Sequence, residues 1–233
     1  MLLLYDLLFN YAPIYVATVV SIGLPLFCVS IGVVSKVNGQ IVVGVIYNPL
    51  LDEMVYAIRG EGCYVNGEKV VSGGEEKSIR LYEGLINVGF PGAKESTLRV
   101  ASRAIGALAT KAKGLRMIAC ASQVMSWVAQ KKINAYVSWD LNSWDICAGM
   151  LIVEESGGYI SDMNGNKATI KSRDLIITCS GAITSNASTA TSNSTFGSSG
   201  TEARRGLHAP EVENSLHYEL LKVLTENQCL TYD

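Results

Sequence analysis

The stretch SWDICAGMLIVEESGG, Ser143 to Gly158, decides how the rest of the chain is read. Ser143 is a natural N-cap, and Asp145 then falls in the first helical turn, where free backbone N–H groups and the positive end of the helix dipole favour a negative charge. That placement predicts an ionised carboxylate. From Ile146 to Val153 the residues are apolar on nearly every side, the pattern of a helix buried all round, and Gly157 with Gly158 supplies a left-handed stop. The unit is a buried helix that aims one carboxylate from its N-terminal end. An acid at that position serves either as a partner of the cap and dipole or as a ligand, and the helix alone does not choose between them.

Outward from this helix, INAYVSWD (133–140) reads as the strand leading into it, and YISDMNGN (159–166) and DLIITCSG (174–181) read as strands that follow. Upstream, LINVGFPG (85–92) is a short strand running into a bend, and LRMIACAS (115–122) is a further strand. Residues 95–108 form a helix with an apolar stripe at Leu98, Ala101, Ile105 and Leu108, and Gln123 to Lys131 forms another that buries Trp127 and Val128. Strands alternating with helices imply an α/β second half with a mixed sheet. From Pro25 to Val71 the pattern changes to an antiparallel meander. LFCVSIGVVS, IVVGVIYN and EMVYAIRG are separated by turns at Lys36–Gln40 and Pro49–Asp52, and Asn66-Gly67 closes a tight hairpin. In this block only Gly60 to Gly62 is a candidate for close approach to a ligand.

The 233 residues, 48% hydrophobic and 17% charged, carry ample apolar matter for a core. A net charge of −2 leaves no basic footprint, which argues against a nucleic-acid partner. The six cysteines, Cys28, Cys63, Cys120, Cys147, Cys179 and Cys229, show no C-x-x-C pair and read as reduced core residues, which favours a cytoplasmic protein without zinc. Residues 1–24 form an atypical apolar segment, and the run from Leu7 to Ser35 has no charge. Pro13, Gly23, Pro25 and Gly32 interrupt it, so buried sheet is expected there in preference to a membrane span. Residues 183–210 include the tract TSNASTATSNSTFGSSGTEARRG, almost entirely Ser, Thr, Asn, Ala and Gly, the composition of a disordered insertion, and residues 211–233 hold an amphipathic closing helix.

Trp144, Asp145, Ala148, Glu155, Gly157 and Gly158 together resemble the second signature of the inositol monophosphatase family, and the meander with its G-x-x-Y-N-P turn and G-x-G-x-x-x-N-G hairpin resembles that family's central sheet. The resemblance covers residues 21–182 and 215–226. It implies a layered α-β-α-β-α sandwich with residues 25–182 as one N-terminally shortened domain, a homodimer, and a magnesium-dependent, lithium-sensitive phosphomonoesterase acting on a small phosphorylated polyol. It also implies that Asp145 is a Mg2+ ligand and that Ala119, Cys120, Ala121, Ser138 and Asp145 face the substrate.

Hydrolysis of a phosphate monoester with magnesium needs several carboxylates to hold two or three hard cations. In the family these come from an N-terminal glutamate and a first signature, Asp-Pro-Ile/Leu-Asp-Gly-Thr, expected about ten residues before Pro25. The residues there are NYAPIYVATVVSIGL, without an acid; Asp6 lies further upstream, and no glutamate precedes Glu53. Ser138 stands where inositol-specific members carry an acid. The sequence therefore leaves three readings: an inositol-phosphate phosphatase, a phosphatase for another small ester such as histidinol phosphate, and a non-catalytic paralogue that serves as a binding or interaction module.

Overall fold

A computed structural model describes residues 7–12, 26–71, 79–89, 94–179 and 215–230, and of residues 7–12 only the strand that they form. The expected meander is present as β2 (Val29–Ser35), β3 (Ile41–Asn48), β4 (Glu53–Ile58), β5 (Gly62–Val65) and β6 (Glu68–Lys69). Each strand pairs antiparallel with the next, and Asn66 and Gly67 both take positive φ at the β5–β6 turn, as a two-residue hairpin requires. The apolar N-terminal run contributes β1 (Leu7–Ala12), which adds to β2 in antiparallel register, Leu7 opposite Ser35 and Ala12 opposite Ser30. Among the described residues no helix is long and apolar enough to cross a membrane. The expected disordered insertion at 183–210 lies outside the described residues.

The second sheet has the order β10-β11-β9-β7-β8, formed by β7 (Leu85–Val88), β8 (Gly114–Arg116), β9 (Ala135–Ser138), β10 (Tyr159–Asp162) and β11 (Leu175–Thr178). β7 runs parallel to both β8 and β9, whereas β11 runs antiparallel to β9 and β10. Among the described residues four α-helices complete the fold: α1 (Glu95–Ala109), α2 (Ala121–Ala129), α3 (Ser143–Glu155) and α4 (Leu216–Glu226). Both faces of the second sheet are covered. Tyr136, Leu175 and Ile177 join α2, α3 and the first sheet in one core, while Ile86, Val88, Val137 and Ile176 join α1 and α4 in another. The described residues thus supply sheet, helix pair, sheet and helix pair of the expected layered α/β sandwich.

Helix α3 occupies the middle of this stack, and every residue from Ile146 to Val153 is buried. It lies directly on the meander because Gly32 and Gly44 are register partners: a Cβ on Gly44 would fall 2.5 Å from the Ala148 carbonyl oxygen. At its far end Gly157 takes φ +81, and the N–H groups of Gly157 and Gly158 return to the carbonyls of Glu154 and Val153. α4 is anchored differently. His217 is buried with Nε2 2.8 Å from the Ser161 hydroxyl and Nδ1 3.2 Å from that of Thr178, and burial pushes its pKa down to about 3.

Some boundaries differ from the sequence reading. Asn142, not Ser143, precedes α3 as its N-cap, so Asp145 is the third helical residue. The buried stripe of α1 runs through Val100, Ala101, Ala104 and Leu108, with Leu98 and Ile105 only half-buried. β8 stops at Arg116, so Met117–Cys120 is not strand: the Asn87 side chain accepts the Ile118 N–H at 2.9 Å and donates to its carbonyl at 3.4 Å, replacing the ladder.

Candidate functional site

The C-terminal ends of the parallel strands β7, β8 and β9 open onto one place, the usual ligand side of such a sheet. The N-termini of α2 and α3 meet there, tied by the Ser122 hydroxyl, which donates to the Asp145 carbonyl oxygen at 2.8 Å. The structure therefore brings Ala119, Cys120, Ala121 and Asp145 to a common edge.

Asp145 is half-buried, and its Oδ2 accepts the N–H of Asn142 at 2.9 Å. The cap-partner role foreseen for an acid in the first turn is thus present. Burial pushes its pKa up from the usual carboxylate range, against the lowering influence of the Asn142 bonds and of Arg173. The Asp145 charge also acts on Cys120 and on the Tyr136 phenol, which is raised chiefly by its own burial.

Cys120 has φ +81 and ψ +80, a strained conformation for a residue with a side chain, costing of the order of 1–3 kcal/mol. It immediately precedes α2, so the chain turns sharply there and presents Ala119 to solvent and half-buries Ala121. Its Sγ lies 3.4 Å from that of Cys28. Ser138 is near the same cluster but covered: at 3% exposure it sits under Gly89, whose added Cβ would lie 2.7 Å from the Ser138 Cβ and 3.2 Å from the Tyr136 hydroxyl.

Asp140 does not join the cluster. It pairs with Arg173 and, at 3.6 Å, with Lys94; the Arg173 guanidinium holds its carboxyl below the usual range. The Gly60–Gly62 turn, expected as a place of ligand approach, is already occupied: the two oxygens of Glu155 accept the N–H groups of Gly60 and Gly62, each at 2.9 Å.

Among the described residues no group of three His, Cys, Asp or Glu side chains is placed to hold a metal ion. Magnesium takes six oxygens in a near-octahedral shell and gives up its waters reluctantly. One carboxylate, already accepting a backbone N–H, does not fit that demand. Tyr136, Ser122, Gly89 and Cys28 were missed from sequence. The first had a signal, since in AYVS the period of two places Tyr136 and Ser138 on one face; Cys28 had none, being 92 residues from its neighbour.

Comparison with known proteins places this geometry. The family described as Inositol monophosphatase family matches residues 19–195. The chain is 32% identical over 157 residues to the inositol-1-monophosphatase of Mesorhizobium japonicum, covering 66% of this chain and 56% of the relative. It is 33% identical over 146 residues to the Nus factor SuhB of Xylella fastidiosa, covering 63% and 51%. Among solved structures, the Thermotoga maritima IMPase superposes with a TM-score of 0.70 at 25% identity, covering 96% of this chain and 70% of that one. The chain spans little more than half the length of the curated relatives that it matches.

Proposed function

The chain belongs to the inositol monophosphatase family, and from that premise we propose that it is a member that keeps the alcohol-side half of a phosphomonoester site without a self-sufficient hydrolytic apparatus. The substrate class is a small phosphorylated polyol such as myo-inositol monophosphate. The observation that carries this reading is that, among the described residues, Asp145 is the one acid at the point where α2 and α3 converge, and the run NYAPIYVATVVSIGL, where the family's first signature is expected, contains none. In this reading Asp145 orients a substrate hydroxyl, Cys120 and Ala121 shape the edge of the cleft, and Ser122 locks the two helix N-termini together. Ser138, covered beneath Gly89, brings no charge to the cleft, which broadens selectivity away from inositol. A homodimer accompanies this reading by family resemblance.

The test is phosphate release from myo-inositol 1-phosphate at millimolar magnesium, comparing the unmodified chain, Asp145→Asn, and a version with an Asp-Pro-x-Asp-Gly-Thr segment placed upstream of Pro25. Background rates in the first two with turnover in the third support the proposal. Magnesium-dependent turnover in the unmodified chain that disappears in Asp145→Asn overturns it.

A further inference from the structure

Cys28 lies just before β2, and Cys120 lies in the turn between β8 and α2. Neither belongs to a strand or a helix, yet their sulfurs are 3.4 Å apart across 92 residues of chain. Both thiols are free. A disulfide closes at about 2.05 Å between sulfurs, so these two need only a small approach from segments outside the regular elements.

The structure assigns to Cys28 and Cys120 a redox modification site, a reversible disulfide formed at the edge of the candidate cleft by a two-electron thiol oxidant of the glutathione-disulfide class. The two cysteines divide the chemistry. Cys120 is half-buried and precedes the first turn of α2, where free N–H groups favour a thiolate, whereas Cys28 is 7% exposed and hydrogen-bonded to it. The Cys120 thiolate attacks one sulfur of oxidised glutathione, forming a mixed disulfide and releasing one glutathione thiolate. Cys28 then attacks the Cys120 sulfur, gives up its proton to solvent, and expels the second glutathione. In total two protein thiols are oxidised and one glutathione disulfide is reduced to two glutathione thiols.

The bond would tie the start of β2 to the N-terminus of α2 and remove a thiol from the cleft edge, so its effect falls on the positive-φ turn at Cys120. None of this depends on whether the chain turns over a phosphate ester.

Tryptic cleavage isolates the pair, because peptides 1–36 and 117–131 each contain one cysteine, Cys28 and Cys120. The reduced full-length chain is incubated with oxidised glutathione, unfolded, alkylated with iodoacetamide and mapped by mass spectrometry. The expected result is two fewer alkylated cysteines than the six of the reduced chain, a linked pair of peptides 1–36 and 117–131, and full reversal by dithiothreitol. In Cys28→Ala the reaction stops at a glutathione adduct on Cys120. Retention of all six alkylated thiols, a stable glutathione adduct on Cys120 in the unmodified chain, or linkage between other cysteines overturns the assignment. The map of the unmodified chain decides the matter whether or not the variant folds.

Discussion

The two ends of α3 carry the two acids of one sequence signature, and they are used in opposite ways. At the C-terminal end both Glu155 oxygens accept backbone N–H groups from the Gly60–Gly62 turn, while Glu154 pairs with Arg59 at 2.6 Å. At the N-terminal end Asp145 accepts one backbone N–H, and burial disfavours its charge. A carboxylate saturated by backbone donors is a strut between elements. One left partly desolvated beside two helix N-termini is not used up in that way, and in the proposed function it is assigned to a ligand. Loss of Glu155 should therefore be felt in stability and loss of Asp145 in ligand binding.

The largest expected effect is on acid stability and separates the two ends by sign. β10, which leaves the C-terminal end of α3, carries Ser161, the partner of the buried neutral His217. Because the folded pKa of His217 is depressed to about 3 from 6.5, the unfolded chain binds its proton first, and stability falls as pH drops from 6.5 towards 3, by an amount of the order of 5 kcal/mol. Asp145, raised from 3.8, works the other way: its contribution is fullest below 3.8 and is lost as pH rises through the folded pKa. Urea unfolding across pH should show the first slope vanish in His217→Gln if that variant folds, and the second vanish in Asp145→Asn.

Next in size is Gly158→Ala. A Cβ there would lie 2.5 Å from the Thr178 carbonyl oxygen and 2.6 Å from Val153 Cγ1, so thermal unfolding should report a loss of about 3 kcal/mol. Glu155→Gln should cost less, about 1–2 kcal/mol, by turning one of two acceptors into a donor facing the Gly60–Gly62 N–H groups. The smallest change is expected for Asp145→Asn near neutral pH, within about 0.5 kcal/mol, because asparagine can still accept the Asn142 N–H while a desolvated charge is removed. A larger loss for Asp145→Asn than for Glu155→Gln would dissolve the contrast between the two ends.

How far the sequence revealed this depends on the range of the interaction. The meander was legible because Asn66-Gly67 and the period of two are local signals, and α3 was legible because an unbroken apolar run has no surface alternative. Its cap shifted by one residue because Asn142 and Ser143 are both capping types, and the backbone chose the one three positions before Asp145. Met117–Cys120 was misread because its strand-like composition carries no trace of the Asn87 side chain that captures Ile118. The Glu155 clamp on Gly60 and Gly62 and the Cys28–Cys120 pair join positions more than ninety residues apart, so only the folded chain displays them. Within the candidate site, Asp145 was visible through its signature, while the covering of Ser138 by Gly89 was not.

The account turns on whether Asp145 stands alone as a metal-binding acid, and manganese, a magnesium substitute that can be counted directly, tests this. Equilibrium dialysis with paramagnetic detection of Mn2+ should find no saturable stoichiometric binding to the unmodified chain at submillimolar metal, and the same weak isotherm for Asp145→Asn. Two or more tightly held ions per chain, lost in Asp145→Asn, would contradict the account and show that other residues of this chain complete the site.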